Sequence, residues 1–255
     1  MNLIKQKNKP KISVVIPAYN EEAYIKETLM ALKNQTCNFP YEIVVVDGQS
    51  SDNTVFIATK FAEVYTSPQK GRVFQLNYGA SKATGELILF LDADTLVKPY
   101  FLQNLYKKFE KDENLFACAA RFKYYDGIAI SFKIGYMSFT ITRYFFLNVF
   151  MHLWYFFKNL FGYPELCGCN TIVRREIYLK VDGFKEPPKG LGADKVFSDS
   201  LLYLIRTMKR GKIKTLNFIS VLTSARNITM KRSLKRLRQY SSMKDIYYEL
   251  AKKIR

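Results

Sequence analysis

The sequence is poor in residues that bind soft metals or form disulfides, since its 255 positions hold one histidine and four cysteines. Cys167 and Cys169 are one residue apart, but neither a second cysteine pair nor a nearby histidine completes a zinc site. A structural zinc site and a disulfide scaffold are therefore not expected. We predict that the cysteines are reduced thiols in a cytoplasmic protein, namely Cys37, Cys118, Cys167 and Cys169.

Long hydrophobic runs are also missing, because no stretch reaches the ~18 uncharged apolar residues expected of a membrane-spanning helix. The nearest candidate, residues 144–157, has fourteen uncharged positions between Arg143 and Lys158. This segment is too short to span a bilayer comfortably, but it could lie in a membrane interface. Residues 1–11 are polar and basic and lack the apolar core of a signal peptide. We expect a cytoplasmic protein, and peripheral contact with the cytoplasmic face of an anionic membrane stays open.

Acidic residues are in the minority, with 22 Asp and Glu against 40 Lys and Arg and a formal net charge of +18. Ten of the basic residues but only two acids lie between Arg226 and Arg255. Such a segment favours an anionic partner, namely nucleic acid, a membrane surface or a phosphorylated substrate, or else it is a solvated face. Because no nucleic-acid-binding motif accompanies it, we expect no nucleic-acid partner.

The most informative feature that is present is an apolar run, residues 87–91, which ends in Asp92 and Asp94. Continuous apolar runs of strand length are typical of strands buried on both faces of a sheet. At the carboxyl end of such a strand, two carboxylates face the crevice in which open α/β sheets bind ligands. Mg²⁺ typically takes one or two carboxylates together with substrate phosphates. The motif therefore predicts a cation-bridged nucleotide diphosphate.

The remainder of the chain alternates strand and helix signals over one predicted domain, residues 1–255. This alternation predicts an α/β fold with a mostly parallel, Rossmann-like sheet flanked by helices. Residues 127–161 are rich in aromatics, and residues 231–255 predict basic amphipathic C-terminal helices. Strands are predicted at residues 12–17, 41–46, 87–91, 115–124 and 169–174.

Three motifs in order resemble those of the family-2 glycosyltransferases of the GT-A fold: VIPAYNEE at 15–22, VVDGQSSDNT at 45–54 and LDADT at 91–95. The resemblance implies a metal-dependent enzyme that uses Mn²⁺ or Mg²⁺. Such an enzyme moves a sugar, with inversion, from a UDP- or GDP-sugar to an acceptor. It also implies a nucleotide-sugar-binding half at 11–125 and an acceptor-side half at 126–230. The acceptor stays open, with a lipid-linked acceptor, a polysaccharide and a glycoconjugate as candidates.

The same resemblance implies the residues of the donor site. Asp94 would ligate the cation, and Asp92 would lie toward the ribose and the metal. Arg226 would hold the diphosphate or an acceptor phosphate. The donor would be contacted by Pro17, Tyr19, Glu21, Asp47, Gly71, Arg72, Asp92 and Arg226.

Two of these assignments have simpler alternatives that stay open. Asp47 and Gly48 form a common turn pair, so Asp47 could merely end its strand. Lys70, Gly71 and Arg72 precede a predicted helix, where backbone N–H groups attract anions, but they could equally form an exposed basic turn.

The catalytic base implied by the resemblance is Asp199, in the first turn of a helix predicted over 198–208. An Asp can remove a proton from an acceptor hydroxyl within hydrogen-bond reach. Relatives usually have Glu-Asp where this chain has Ser198-Asp199, and Asp194 is the competing carboxylate. Asp199 could also be an acid favoured at a helix start by the helix dipole.

Two other functions compete with glycosyl transfer. A nucleotidyltransferase is disfavoured, because such enzymes usually have a glycine-rich basic loop after the first strand, whereas residues 17–21 read Pro-Ala-Tyr-Asn-Glu. The other is a basic protein of similar fold that binds nucleic acid or a membrane surface without transferase activity.

Overall fold

The computed structural model describes residues 9–125, 129–134, 137–142, 148–149, 153, 156–157, 160, 164 and 166–226. Its strands are β1 (Ile12–Ala18), β2 (Tyr41–Asp47), β3 (Glu63–Thr66), β4 (Leu87–Leu91), β5 (Thr95–Leu96), β6 (Leu115–Tyr124), β7 (Ala129–Ile134), β8 (Met137–Thr142), β9 (Asn170–Arg174) and β10 (Lys212–Thr223). Its helices are α1 (Ile25–Lys33), α2 (Thr54–Ala58), α3 (Arg72–Lys82), α4 (Phe101–Glu110), α5 (Arg175–Lys180) and α6 (Ala193–Met208). Residues 148–149, 153, 156–157 and 160 are also helical.

An eight-stranded sheet forms the centre of the fold, in the order β3-β2-β1-β4-β9-β6-β10-β5. Parallel ladders join β1 to β2 and to β4, β2 to β3, and β6 to β10. β9 lies antiparallel between β4 and β6, and β5 is antiparallel to β10. Six of the eight strands therefore run in one direction, which confirms the predicted mostly parallel sheet. β7 and β8 form a separate antiparallel pair.

The centre of the sheet is buried on both faces, as the apolar runs predicted. Every residue of β1 and of β4 is buried. α3 packs closely on β1 and β2, because a Cβ at Gly79 would lie 2.4 Å from Val15 Cγ1 and 2.9 Å from Val46 Cγ2. The glycine thus lets the helix backbone approach the sheet. This contact fixes the start of α3 near the carboxyl ends of the central strands.

The helix predicted over 198–208 begins earlier, at Ala193, so the expected position of Asp199 in its first turn is wrong. Asp194 is the acid of the first turn. The added turn forms because Phe197 and Leu201 are buried on the same face. Ser198 is accommodated inside the helix, where its hydroxyl donates to the Asp194 carbonyl at 2.7 Å.

The membrane-related predictions fall largely outside the described residues. The C-terminal helices predicted at 231–255 lie wholly outside them, as does most of the run at 144–157. No helix in the described part of the chain is both long enough and apolar enough to cross a membrane.

Candidate functional site

The loops after β1 and β2 are joined by hydrogen bonds into one wall at the carboxyl edge of the sheet. The backbone N–H of Asn20 donates to Ser50 Oγ at 2.9 Å, and the N–H of Ser51 donates to Asn20 Oδ1 at 2.9 Å. Asn20 has a φ of 54°, in the left-handed region that asparagine tolerates better than most residues. The Glu21 N–H donates to Thr54 Oγ1 at 2.7 Å. The polar residues of the first two motifs therefore hold each other in place.

Asp47 ends β2 and is buried. Its Oδ2 accepts hydrogen bonds from the backbone N–H groups of Gln49 at 2.9 Å and Ser50 at 3.1 Å. This is the geometry of a turn closed by an aspartate side chain. The contacts agree with the turn interpretation and leave a donor-binding role as a prediction.

Gln75, on α3, is a positioning residue that the sequence interpretation missed. Its buried side-chain Nε2 donates to the carbonyls of Ala18 at 2.7 Å and Val46 at 2.8 Å. It ties the ends of β1 and β2 to α3. Gly48 leaves room for this side chain, since a Cβ there would lie 2.9 Å from Gln75 Nε2. The signal in the sequence that could have revealed this role is a polar residue beside the apolar positions of α3.

Asp94 is buried just beyond the end of β4. The Thr223 hydroxyl donates to Asp94 Oδ1 at 3.3 Å, and Arg226 Nη2 lies 3.2 Å from Oδ2. Burial and then the negative charge of Asp92 raise the pKa of Asp94 to about 6, against the opposing effect of Arg226. The groups around Asp94 therefore only partly compensate for the burial of its negative charge.

Asp92 lies on the other side of the same turn. Its Oδ1 is 2.5 Å from Arg72 Nη1, yet this buried oxygen accepts no well-directed hydrogen bond among the described residues. Arg72 is held in turn by the Gly168 carbonyl, which accepts from Nη2 at 2.7 Å. Gly71, before α3, has a φ of 126°, which glycine adopts without strain. The tight turn thus delivers Arg72 to Asp92.

Glu21 and Arg226 close the site from two distant parts of the chain. Arg226 Nη2 donates to both carboxylate oxygens of Glu21, and its guanidinium carbon lies 4.5 Å from the centre of the Tyr24 ring. Burial raises the pKa of Glu21, and Arg226 only partly offsets that effect. We call Glu21, Arg72, Asp92, Asp94 and Arg226 the acid–arginine cluster.

The other predicted residues are distributed around this cluster. Pro17 is buried within β1, paired with Val46, and Tyr19 in the next loop is 51% exposed. Asp199 forms an ion pair with Lys195, one turn earlier on α6. Asp194 is linked to the cluster, because a Cβ at Gly168 would meet its Cγ at 3.4 Å, and the Gly168 carbonyl accepts a hydrogen bond from Arg72.

The donor set fits a hard divalent cation. Asp92 offers a buried oxygen without a hydrogen bond, and Asp94 is a buried carboxylate whose ionised form is disfavoured without an added positive charge. Within the described ranges, no group of three or more His, Cys, Asp or Glu could hold a metal ion. Two carboxylates are nevertheless enough for Mg²⁺ when phosphates complete its coordination.

Comparison with known proteins identifies the family. Residues 13–181 match the model of Glycosyl transferase family 2. The chain belongs to this family. The family's probable glycosyltransferase YdaM of Bacillus subtilis (strain 168) is 29% identical over 204 residues, which cover 74% of this chain and 46% of YdaM. A dolichyl-phosphate beta-glucosyltransferase of Drosophila melanogaster is 31% identical over 185 residues, 64% of this chain and 54% of the relative. The chain thus spans about half the length of these curated relatives.

Solved structures agree with the predicted GT-A-type fold. S. aureus TarS 1–349 in complex with UDP-GlcNAc has a TM-score of 0.61 at 21% identity, over 88% of this chain and 60% of TarS 1–349. The mannosyltransferase PcManGT from Pyrobaculum calidifontis, in complex with GDP-Man and Mn²⁺, has a TM-score of 0.58 at 20% identity, over 85% of this chain and 57% of PcManGT. At these identities the likeness concerns the fold.

Proposed function

We propose that this family-2 chain transfers a sugar from a nucleotide-diphosphate sugar to an acceptor, with the help of a divalent cation. The observation that carries the proposal is the carboxylate pair at the carboxyl end of β4, in which Asp94 is buried and Asp92 is half-buried with one buried oxygen. They lie beside two arginines, in the crevice where open α/β sheets bind ligands. Carboxylates for a cation and guanidinium groups for phosphates are the groups that a metal-bridged diphosphate requires.

The donor would lie across the joined loops after β1 and β2. In this proposal Pro17, Tyr19 and Asp47 line the base and ribose pocket, together with Glu21. Gly71 brings Arg72 to the diphosphate from the start of α3, and Arg226 reaches it from the opposite side. UDP- and GDP-sugars are the candidates, since TarS and PcManGT are described with UDP-GlcNAc and GDP-Man.

Asp94, with Asp92 beside it, would hold Mn²⁺ or Mg²⁺. A cation bound there would offset the negative charge that builds on the leaving nucleotide diphosphate. The raised pKa of Asp94 supports this role. It means that the ionised carboxylate is only partly compensated, so a nearby positive charge would stabilise it strongly.

The acceptor would attack the anomeric carbon in a single displacement that inverts its configuration. Asp199 would remove the proton of an acceptor hydroxyl, with Asp194 as the alternative base. A phosphate acceptor, already anionic, would need less help from a base. Asp194 is linked to the cluster through Gly168, whereas the family resemblance favours Asp199.

We further propose that the acceptor is lipid-linked and that the protein meets it at the cytoplasmic face of an anionic membrane. Five described apolar residues between positions 148 and 160 are exposed, and their sequence spacing is that of one face of a helix, namely Val149, Leu153, Phe156, Phe157 and Leu160. An exposed apolar face and a strongly basic chain both favour an anionic lipid surface. The Drosophila relative is a dolichyl-phosphate beta-glucosyltransferase, and this name also favours a lipid-linked acceptor.

The first test is the melting temperature of the protein with UDP, GDP and other nucleotide diphosphates, each with and without Mn²⁺. A ligand present at about 100 times its Kd stabilises the native state by about 2.7 kcal/mol. For a chain of this size that corresponds to a rise of roughly 5–10 °C. We expect such a rise for one nucleotide, dependent on Mn²⁺ and lost in Asp94→Asn.

Asp112→Asn is the matched control. Asp112, in the loop before β6, forms an ion pair with Lys212 at the start of β10, away from the cluster. It should keep the full nucleotide response. If no nucleotide stabilises the wild-type protein, the donor site is absent, and the alternative of a basic binding protein without transferase activity gains support. Salt-dependent binding of an unrelated oligonucleotide would then distinguish nucleic acid from a lipid surface.

A further inference from the structure

Each carboxylate of the proposed cation site already has an arginine beside it. Arg72 Nη1 lies 2.5 Å from Asp92 Oδ1, and Arg226 Nη2 lies 3.2 Å from Asp94 Oδ2. The two arginines differ in what else holds them. Arg72 is anchored to the backbone carbonyl of Gly168, whereas Arg226 is held by another acid, Glu21, and by the ring of Tyr24.

Arg226 therefore has two acids as partners, and only one of them belongs to the proposed cation site. If Arg226 withdraws from Asp94, it keeps Glu21 as a counter-ion, so the change of partner leaves no charge isolated. Both groups are largely shielded from water, with side chains 28% exposed for Arg226 and 10% for Asp94. Because screening is weak in such surroundings, the charges act strongly on one another.

A divalent cation at Asp94 would compete with Arg226 for the same carboxylate. With no other anion present, four positive charges, two from the cation and one from each arginine, would face the three carboxylates of the cluster. The repulsion between the cation and the guanidinium groups opposes binding. A diphosphate changes this balance, since its oxygens can ligate the cation and also accept hydrogen bonds from Arg226.

We propose that Arg226 is an internal counter-ion of Asp94, which makes cation binding conditional on a nucleoside diphosphate. On arrival of the diphosphate, the guanidinium exchanges Asp94 for phosphate oxygens, and Asp94 becomes available to the cation. Arg226 is thus a positioning residue that discriminates the cation–diphosphate complex from the bare cation. This inference rests on the proposed function, since it assumes the cation site at Asp92 and Asp94.

The test is a titration of the full chain with Mn²⁺, in which free Mn²⁺ is measured by electron paramagnetic resonance. Wild-type protein, Arg226→Met and Arg226→Lys are compared without nucleotide and with saturating UDP or GDP. Met keeps much of the length of arginine without its charge, and Lys keeps the charge. Arg206→Met, on the exposed face of α6, is the matched control for loss of one positive charge.

We expect Arg226→Met to bind Mn²⁺ alone at least tenfold more tightly than the wild-type protein does. Addition of nucleotide should then raise the Mn²⁺ affinity of this variant less than it raises that of the wild type. Because coupling between two ligands is reciprocal, Mn²⁺ should also raise the nucleotide affinity of the variant by a smaller factor. Arg206→Met should resemble the wild type, and Arg226→Lys, which keeps the charge, should bind Mn²⁺ alone no more tightly than the wild type does. Thermal unfolding of each variant verifies that it is folded.

Unchanged or weaker binding of Mn²⁺ alone by Arg226→Met would overturn the proposal, as would equal tightening in Arg226→Lys or Arg206→Met. If Arg226→Met does not fold, the wild-type protein still tests the inference, because equal binding of Mn²⁺ with and without nucleotide contradicts it. Nucleotide binding that depends on Mn²⁺ but is insensitive to Arg226 refutes only the inference. Absence of nucleotide binding refutes the proposed function as well.

Discussion

Replacing Asp94 by asparagine should stabilise the metal-free protein at neutral and alkaline pH. The pKa of Asp94 is raised from 3.8 to about 6, chiefly by burial and by the charge of Asp92. A shift of about two units corresponds to about 3 kcal/mol, at 1.36 kcal/mol per unit. This is the free energy by which folding disfavours the ionised carboxylate when no cation is bound. Asparagine has nearly the same size and no charge to bury.

The sign of the pH dependence follows from the direction of the shift. Because the folded protein binds the Asp94 proton more tightly than the unfolded chain does, protonation favours folding. That contribution is fully present below about pH 3.8 and is lost as the pH rises through about 6. Asp94→Asn should therefore match the wild type near pH 4 and exceed it by about 3 kcal/mol at pH 8. In melting temperature this is a gain of roughly 6–12 °C.

The assay is thermal and urea unfolding from pH 4 to pH 8 in the presence of a chelator. Asp112→Asn is a control of opposite sign, because the hydrogen bond from Lys212 lowers the pKa of Asp112. Its ionised form favours folding, so this variant should lose stability at pH 8 and approach the wild type in acid. If Asp94→Asn is less stable than the wild type at pH 8, or has the same pH profile, then folding does not raise the pKa of Asp94 and the reasoning is wrong.

Two further predictions concern positioning and proton transfer. Gln75→Leu should lower the free energy of unfolding by about 2 kcal/mol, since it removes two buried hydrogen bonds to the carbonyls of Ala18 and Val46; a loss below about 0.5 kcal/mol in urea unfolding would contradict this role. Asp199→Asn should lower kcat by about 10²–10⁴-fold while nucleotide binding is retained. Asp194→Asn should have the smaller effect, and the reverse ranking would assign the base to Asp194.

Much of the donor half could be predicted because its signals are local. The apolar runs of β1, β2 and β4 identify strands buried on both faces. Since β4 ends where its apolar run ends, the acids that follow it are placed at the carboxyl edge of the sheet. The start of α6 depends on a contact that no local pattern specifies. Phe197 is buried, and this tertiary contact extends the helix back to Ala193.

The sequence by itself determined the strand–helix alternation, the mostly parallel sheet and the placement of Asp92 and Asp94 at a strand end. These depend on the period of apolar residues and on turn chemistry, which operate over a few positions. Only the tertiary structure decided that Arg226 meets Glu21 across 205 positions, and that β9 enters antiparallel between β4 and β6. Such contacts depend on the packing of distant segments around one core, and no short-range pattern specifies which distant arginine will meet a given acid.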